Sequence, residues 1–451
     1  MAAYVVNQDS VITSLFVPKN TSFLTCGGTN IAQKSGINWF NFTASNPTTN
    51  FKYIFNSKNF TSGIIKPVVT GPSSWSPAPT TIKQFLYNGG SIEYVCGQFN
   101  IIAPTTAKNI MYFNPTARTT TGTTPFLPLS SISFAGSNNT VNCMAFLKTS
   151  DGINDNTSKL VIAGSFDNTT ANGNIALLDV TPTPTWSINT SIIANTTINA
   201  STTIINSIIV IGSIIYVAGS QNNTDCLFYS YDTTTNAWSL DLLGVLSYSG
   251  TINILKKAVK QSRYPDPDED ITYIAIGGEF TDLASATVYN NIVLYNTADG
   301  SFTALGSGVT DVAAIDPIYP SPRVFALEYI ESTNILWVGG YFLNADGITR
   351  NSIAYYDIIS DSWVSIVINA TSAVTGLLDS VSSVSSDPGV VYALYQSSID
   401  RGNIIVGGSF KTKTTAVKLA PSILIYNLVK ISIAANVGTT RNFTKFNSKS
   451  Q

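Results

Sequence analysis

The chain is 451 residues long, 44% hydrophobic but only 11% charged, with a net charge of −2 and no histidine. Its few Lys and Arg gather into no stripe, which excludes the clustered phosphate-neutralising cations of a nucleic-acid binder. The missing histidine excludes Ser-His-Asp and Cys-His catalysis and His-ligated zinc.

In chain order, short apolar runs bounded by Gly, Asn, Asp and Ser read as strands rather than helices. "VITSLF" (11–16) precedes "TCGGT" (25–29), with "NFKYIF" (50–55) as an outer strand; "IKQFLY" (82–87) precedes "VCGQF" (95–99). Next come "IAGSF" (162–166), "NIALLD" (174–179) and Trp186, and then "VAGSQ" (217–221) and Trp238. The fifth copy has "IGGEF" (276–280), "NIVLYN" (291–296) and Phe302; the sixth has "VGGYF" (338–342), "SIAYYD" (352–357) and Trp363. The last has "VVYALY" (390–395), "VGGSF" (406–410), "SILIYN" (422–427) and "KISIAANV" (430–437).

The glycines Gly27, Gly97, Gly164, Gly219, Gly278, Gly340 and Gly408 are 70, 67, 55, 59, 62 and 68 residues apart. Such spacing is the signature of a repeat architecture. Before each glycine stands Cys26, Cys96, Ala163, Ala218, Gly277, Gly339 or Gly407, a column of small residues where neighbouring units crowd together. The glycine permits close backbone approach or a bulge, the Phe two later packs between units, and the closing Asp/Asn starts a turn. Four strands per unit and seven units describe an all-β, seven-bladed β-propeller of antiparallel strands filling 1–451. Blades are expected near 8–70, 80–135, 139–195, 203–247, 250–309, 322–370 and 388–437, with a tail over 438–451. An edge left open at the ring junction would template aggregation, so Tyr4–Val6 is expected to pair with the last blade.

On "VIAGSF" (161–166), "NIALLD" with its following Trp, and "FTALGSGV" (302–309), the repeat resembles the propellers of the kelch and galactose-oxidase superfamily. The nearest in flavour are fungal cortical polarity-marker propellers and propeller proteins of large DNA viruses. The resemblance implies a rigid interaction or structural module, as a virion or cell-surface component. It implies no oxidase activity, because that enzyme's copper site uses two histidines and this chain has none.

For function, the expectation is a non-enzymatic module without cofactor or metal. Protein partners or assembly neighbours would dock on the face formed by the loops joining second to third strands and outer to next inner strands. A glycan is the alternative ligand, held by exposed aromatics beside Asn or Asp. Candidate binding residues are Trp75 in "GPSSWSPAPTT" (71–81), Tyr341 in the sixth glycine motif, and Glu279, which is expected to line the central channel. The surviving enzyme reading is a carboxylate-pair glycosidase drawing on acids such as Glu93 and Glu279; "TADGSF" (297–302) only loosely resembles a sialidase Asp-box. Asp266, Asp268 and Asp270 end a charged run (256–270) read as a hairpin tip, and lack the Gly and Glu of a calcium loop.

Cys26, Cys96, Cys143 and Cys226 show no CxxC spacing and are expected as buried free thiols. Twelve Asn-x-Ser/Thr sequons match what chance gives with 41 Asn and 104 Ser plus Thr, so they carry no argument for glycosylation. No stretch of 18 apolar residues occurs, so no membrane insertion is expected. "MAAYVVNQDSVITSLFV" lacks the pattern of a signal peptide.

Overall fold

Lys159–Asp167 reads KLVIAGSFD, with apolar residues at consecutive rather than alternate positions, as in a strand buried on both faces. Leu160 and Ile162 pack toward the sheet before it, Val161 and Ala163 toward the sheet after it. That division organises the molecule. The computed structural model describes residues 11–16, 23–31, 34–41, 51–52, 81–87, 93–101, 107–113, 126–128, 135–147, 159–167, 174–179, 187–189, 195, 197–198, 200–239, 241–243, 249–261, 270–281, 289–311, 320–364, 389–396, 403–411 and 421–427.

Among these, every regular element is a strand. Sheet 1 holds β1 (Val11–Phe16), β2 (Phe23–Ile31) and β3 (Lys34–Asn41); β4 (Phe51–Lys52) lies elsewhere. Sheet 2 is β5 (Thr81–Tyr87), β6 (Glu93–Ile101), β7 (Ala107–Phe113) and β8 (Phe126–Pro128). Sheet 3 is β9 (Ala135–Leu147), β10 (Lys159–Asp167), β11 (Ile175–Asp179) and β12 (Ser187–Asn189). Sheet 4 is β13 (Thr203–Ile211), β14 (Ile214–Gln221), β15 (Asp225–Asp232) and β16 (Ala237–Trp238). Sheet 5 is β17 (Gly250–Lys260), β18 (Ile271–Phe280), β19 (Ile292–Asn296) and β20 (Phe302–Ala304).

The chain then forms β21 (Val309–Thr310), β22 (Arg323–Ile330), β23 (Ile335–Tyr341), β24 (Asn344–Ala345), β25 (Ile348–Thr349), β26 (Ile353–Asp357) and β27 (Ser362–Val364). Of these, β22, β23, β26 and β27 make sheet 6, while β21, β24 and β25 make a small accessory sheet. Sheet 7 is β28 (Val390–Gln396), β29 (Asn403–Lys411) and β30 (Pro421–Asn427), completed by β4. Phe51–Lys52, expected as the outer strand of the first unit, instead pairs antiparallel with Tyr426 and Ile425 of the last. Tyr4–Val6 and residues 430–437 lie outside the described residues.

The first strands of the seven sheets neighbour one another in chain order, and β28 also neighbours β1. The architecture is an all-β propeller. Five buried clusters occupy the spaces between sheets 2 and 3, 3 and 4, 4 and 5, 5 and 6, and 6 and 7. The motif phenylalanines Phe166, Phe280, Phe342 and Phe410 are all buried in them, as their spacing predicts.

Every first strand carries a β-bulge opposite the glycine column. The residue skipped in the register is Thr13, Lys83, Asn142, Asn206, Asn253, Phe325 or Tyr392. The glycines are required by what faces them. A Cβ on Gly164, Gly219, Gly278, Gly340 or Gly408 would lie 2.0, 1.9, 2.1, 2.0 or 2.0 Å from the carbonyl oxygen of Thr140, Ile204, Thr251, Arg323 or Val390. A Cβ on Gly277 or Gly339 would instead meet Val324 or Val391 of the next sheet, at 2.5 and 2.4 Å.

Register corrects the alignment in sheet 1. The residue paired just before the bulge is Gly28, opposite Ile12, so Gly28 and not Gly27 holds the glycine position. Gly27 then occupies the small-residue column, and Cys26 pairs with Leu15 one step further on.

Candidate functional site: a polar cleft on the loop face

A recurring asparagine builds the face on which the site lies. Asn174 and Asn291 stand just before the third strands of their sheets with φ of 62° and 65°, a left-handed conformation that Asn tolerates better than most residues. The backbone oxygen of Asn291 accepts from Gly278 N at 3.0 Å, and its Oδ1 accepts from Phe280 N at 2.9 Å. Its Nδ2 donates to Val309 O at 2.9 Å, on the connection leading to sheet 6. Asn174 repeats this scheme, with Oδ1 taking Phe166 N and Nδ2 reaching Ile198 O and Ala200 O at 3.0 and 2.9 Å. One buried side chain thus ties the corner between second and third strands to the crossover into the next sheet. Sequence reading named the Asp/Asn that closes this strand and passed over the Asn that opens it. The signal was present in "NIALLD" and "NIVLYN".

Above the Asn291 corner, between sheets 5 and 6, lies a cleft of about 650 Å³. Its walls are Ser249, Gly250, Glu279, Phe280, Thr281, Asn290, Asn291, Thr310, Asp311, Ser321 and Pro322. Hydroxyls, amides and two carboxylates dominate the lining; the one aromatic, Phe280, is buried. The rim is held from both sides. Asp311 Oδ2 accepts from Asn344 Nδ2 at 2.6 Å and Asp311 O accepts from Leu343 N at 2.7 Å, which fixes β21 to the β24–β25 hairpin. Asn290 O accepts from Val309 N at 3.0 Å and Asn290 Nδ2 donates to Ser307 O at 2.8 Å.

Glu279 joins the two sheets at the cleft floor. Its Oε2 lies 2.8 Å from Arg323 Nη2 and its Oε1 accepts from the Ser321 hydroxyl. With side chains 29% and 23% exposed, the pair is half screened, and its main effect is to hold the start of β22 against the end of β18. Glu279 is therefore placed in the cleft but already engaged.

Tyr341 lies opposite Arg323 in the β22–β23 pair and is only 2% exposed, so its ring offers no face to a ligand. Trp75 lies outside the described residues. Glu93 pairs with Tyr87 at the hairpin end of sheet 2, whereas Glu279 pairs with Thr251 at the other end of sheet 5, so the two acids are not brought together. Asp270 is exposed at the start of sheet 5's second strand, and Asp266 and Asp268 lie outside the described residues. In "TADGSF" the Asp299 carboxylate accepts from Ser301 N at 2.8 Å, an exposed turn contact. Among the described residues no three Cys, Asp or Glu side chains gather in a way that could hold a metal ion.

The thiols of Cys96, Cys143 and Cys226 are free and buried. Burial pushes all three pKa values up; for Cys226, burial first and then the charges of Asp225, Asp241 and Glu279 raise it to about 12. None is a thiolate nucleophile at neutral pH.

No family model matches the chain, and no curated protein matches it. Solved structures do. One is the extracellular domain of the one-component system BT4673 from B. thetaiotaomicron, at 11% identity and a TM-score of 0.42 over 94% of this chain. The match spans only 39% of that longer chain. The Cps50 (Swd1) β-propeller domain of Myceliophteria thermophila aligns at 9% identity and a TM-score of 0.45, over 94% of this chain and 99% of that one.

Proposed function

We propose that the chain is a seven-bladed, kelch-like propeller acting as a rigid, non-enzymatic module that receives a protein partner or assembly neighbour on its loop face. Seven first strands in a neighbour cycle support the blade number, and six of the seven sheets show four strands among the described residues. A surface rich in uncharged Asn, Ser and Thr suits a crowded or extracellular setting such as a virion or cell surface. The observation that carries the reading is the cleft itself. It is concave and polar, its rim is pinned by Asn290, Asp311 and Asn344, and its one carboxylate–guanidinium pair serves to join blades. Such a pre-organised surface loses little entropy on binding. It offers hydrogen bonds but no base or nucleophile poised beside a reacting atom.

The test compares capture of partners from native extracts by the wild-type chain and by Thr310→Arg and Asp311→Arg. Both changes alter the rim; Asp311→Arg also removes the bond from Asn344, so Thr310→Arg is the control that keeps it, and neither touches the Glu279–Arg323 pair. Selective loss of captured proteins in both variants supports the reading; equal capture by all three chains overturns it. The hydroxyl- and amide-lined cleft also suits a sugar, so the same chains go onto a glycan array. Saturable glycan binding lost in the Asp311 variant would replace the protein partner with a carbohydrate. Hydrolysis of sialosides or β-glycosides by the wild type would sink the non-enzymatic reading.

A further inference from the structure

The inner edge of the ring shows a pattern that the loop-face reading does not use. Ile204, Thr251 and Arg323 aim their carbonyls at the glycines of their second strands, so the next carbonyls along, those of Ile205, Ile252 and Val324, point to the free edge. Each is met by the bulge residue of the preceding sheet. Asn142 Nδ2 donates to Ile205 O at 2.9 Å, Asn206 Nδ2 to Ile252 O at 3.0 Å, and Asn253 Nδ2 to Val324 O at 3.1 Å. The bulge residues therefore line the central channel. An amide carries two N–H donors, so each Asn keeps a second N–H for the channel after this bond.

The remaining bulge residues differ in kind. Phe325 and Tyr392 pack ring to ring at 5.2 Å. Lys83 is the one charged residue in the column. Its side chain is exposed, and among the described residues no carboxylate pairs with it. Its neighbour Gln84 is already engaged, with Oε1 accepting from Met144 N at 2.6 Å. Two acids of sheets 5 and 6 are committed elsewhere: Glu328 to Lys256 at 2.5 Å, and Glu279 to Arg323. Partial desolvation by the surrounding protein lowers the Lys83 pKa, against a weaker opposing effect of Cys96.

We propose that the central channel holds a small oxyanion, bearing a phosphate or carboxylate group, on Lys83, with the second amide hydrogens of Asn142 and its neighbours as further donors. An ammonium open to the channel, with no carboxylate partner among the described residues and uncharged donors in the same bulge column, is a site that an anion would complete. Lys83 stands in sheet 2 and the loop-face cleft between sheets 5 and 6, so either can fail without the other.

The test is calorimetric titration of the full chain with inorganic phosphate, and separately with acetate. Saturable binding of either ion at one site per chain is expected. Lys83→Met should weaken it at least about 10-fold, and Lys83→Arg should stay within about threefold of wild type, since the charge remains. A second readout needs no variant and stands if Lys83→Met does not fold. Acetylation of Lys83 in the wild-type chain, followed by mass spectrometry, should slow at least about fivefold in saturating phosphate, while the exposed Lys257 and Lys260 keep their rates. Equal binding by Lys83→Met, no binding of either ion, or equal protection at Lys257 would overturn the proposal.

Discussion

At the scale of single residues, the fold rests on positions where only one side chain fits. Gly340 faces the Arg323 carbonyl so closely that any Cβ forces apart the two strands that carry the blade. Gly340→Ala should therefore destabilise by about 3 kcal/mol, as overpacking against backbone that cannot yield. Gly347, at a hairpin tip with φ 69° and nothing within reach of a Cβ, should cost only about 1 kcal/mol as Ala, from the strained backbone alone. Denaturant unfolding followed by Trp fluorescence checks both, and equal costs would refute the carbonyl-contact account. The glycine column was legible in the sequence because so few residues satisfy it. The asparagine column was not, since 41 asparagines hide a handful with one shared task. Asn291→Ala removes bonds to Phe280 N and Val309 O at a buried corner. It should cost about 2 kcal/mol or more, because two buried backbone groups lose their partner.

At the scale of elements, turns and bulges set what each strand presents. The closing Asp read from the sequence behaves as expected. Asp232 Oδ1 accepts from Thr234 N and Oγ1 at 2.8 and 2.7 Å, and Asp357 Oδ1 accepts from Ile359 N at 2.9 Å. Hydrogen bonds from Thr234 to Asp232, and from Ser301 to Asp299, hold both carboxyls below the usual carboxylate range. A carboxyl with a depressed folded pKa adds stability that is present above its unfolded pKa and is lost as pH falls through the folded one. The Asp232→Asn/Asp299→Asn double variant should thus melt lower than wild type at neutral pH. The two melting curves should converge as pH falls below about 4, where the wild-type carboxyls also lose their charge. A gap that persists unchanged in acid would refute the charge-based account. The bulges, by contrast, were legible only as one option for the glycine column and not as positions in the first strands: one extra residue inside an apolar run such as "VITSLF" or "IKQFLY" leaves no compositional mark. That is why the copy in "TCGGT" was aligned one residue early.

At the scale of the whole molecule, what matters is how the last sheet is finished. Strand pairing puts Phe51 opposite Tyr426 and Lys52 opposite Ile425, so a two-residue strand from beyond sheet 1 covers the outer edge of sheet 7. Nothing in the sequence could show this. Two residues are too few for a period, and their partners lie at the far end of the repeat series. The repeated units were readable because each is specified locally, whereas the junction joins distant segments and is specified by none of them. An uncovered outer edge is a template for pairing with another chain, so this short strand should matter more than its length suggests. Pairing with β30 uses the backbone donors of β4, and proline has none to give. Phe51→Pro/Lys52→Pro should therefore release β30 first. In hydrogen-exchange mass spectrometry, amides of 421–427 should exchange faster, while those of β14 and β18, deep in sheets 4 and 5, should change little. Concentration-dependent self-association should rise together with that loss of protection. If 421–427 stays as protected as in the wild type, the junction is held by something other than β4, and the seam of the propeller lies elsewhere.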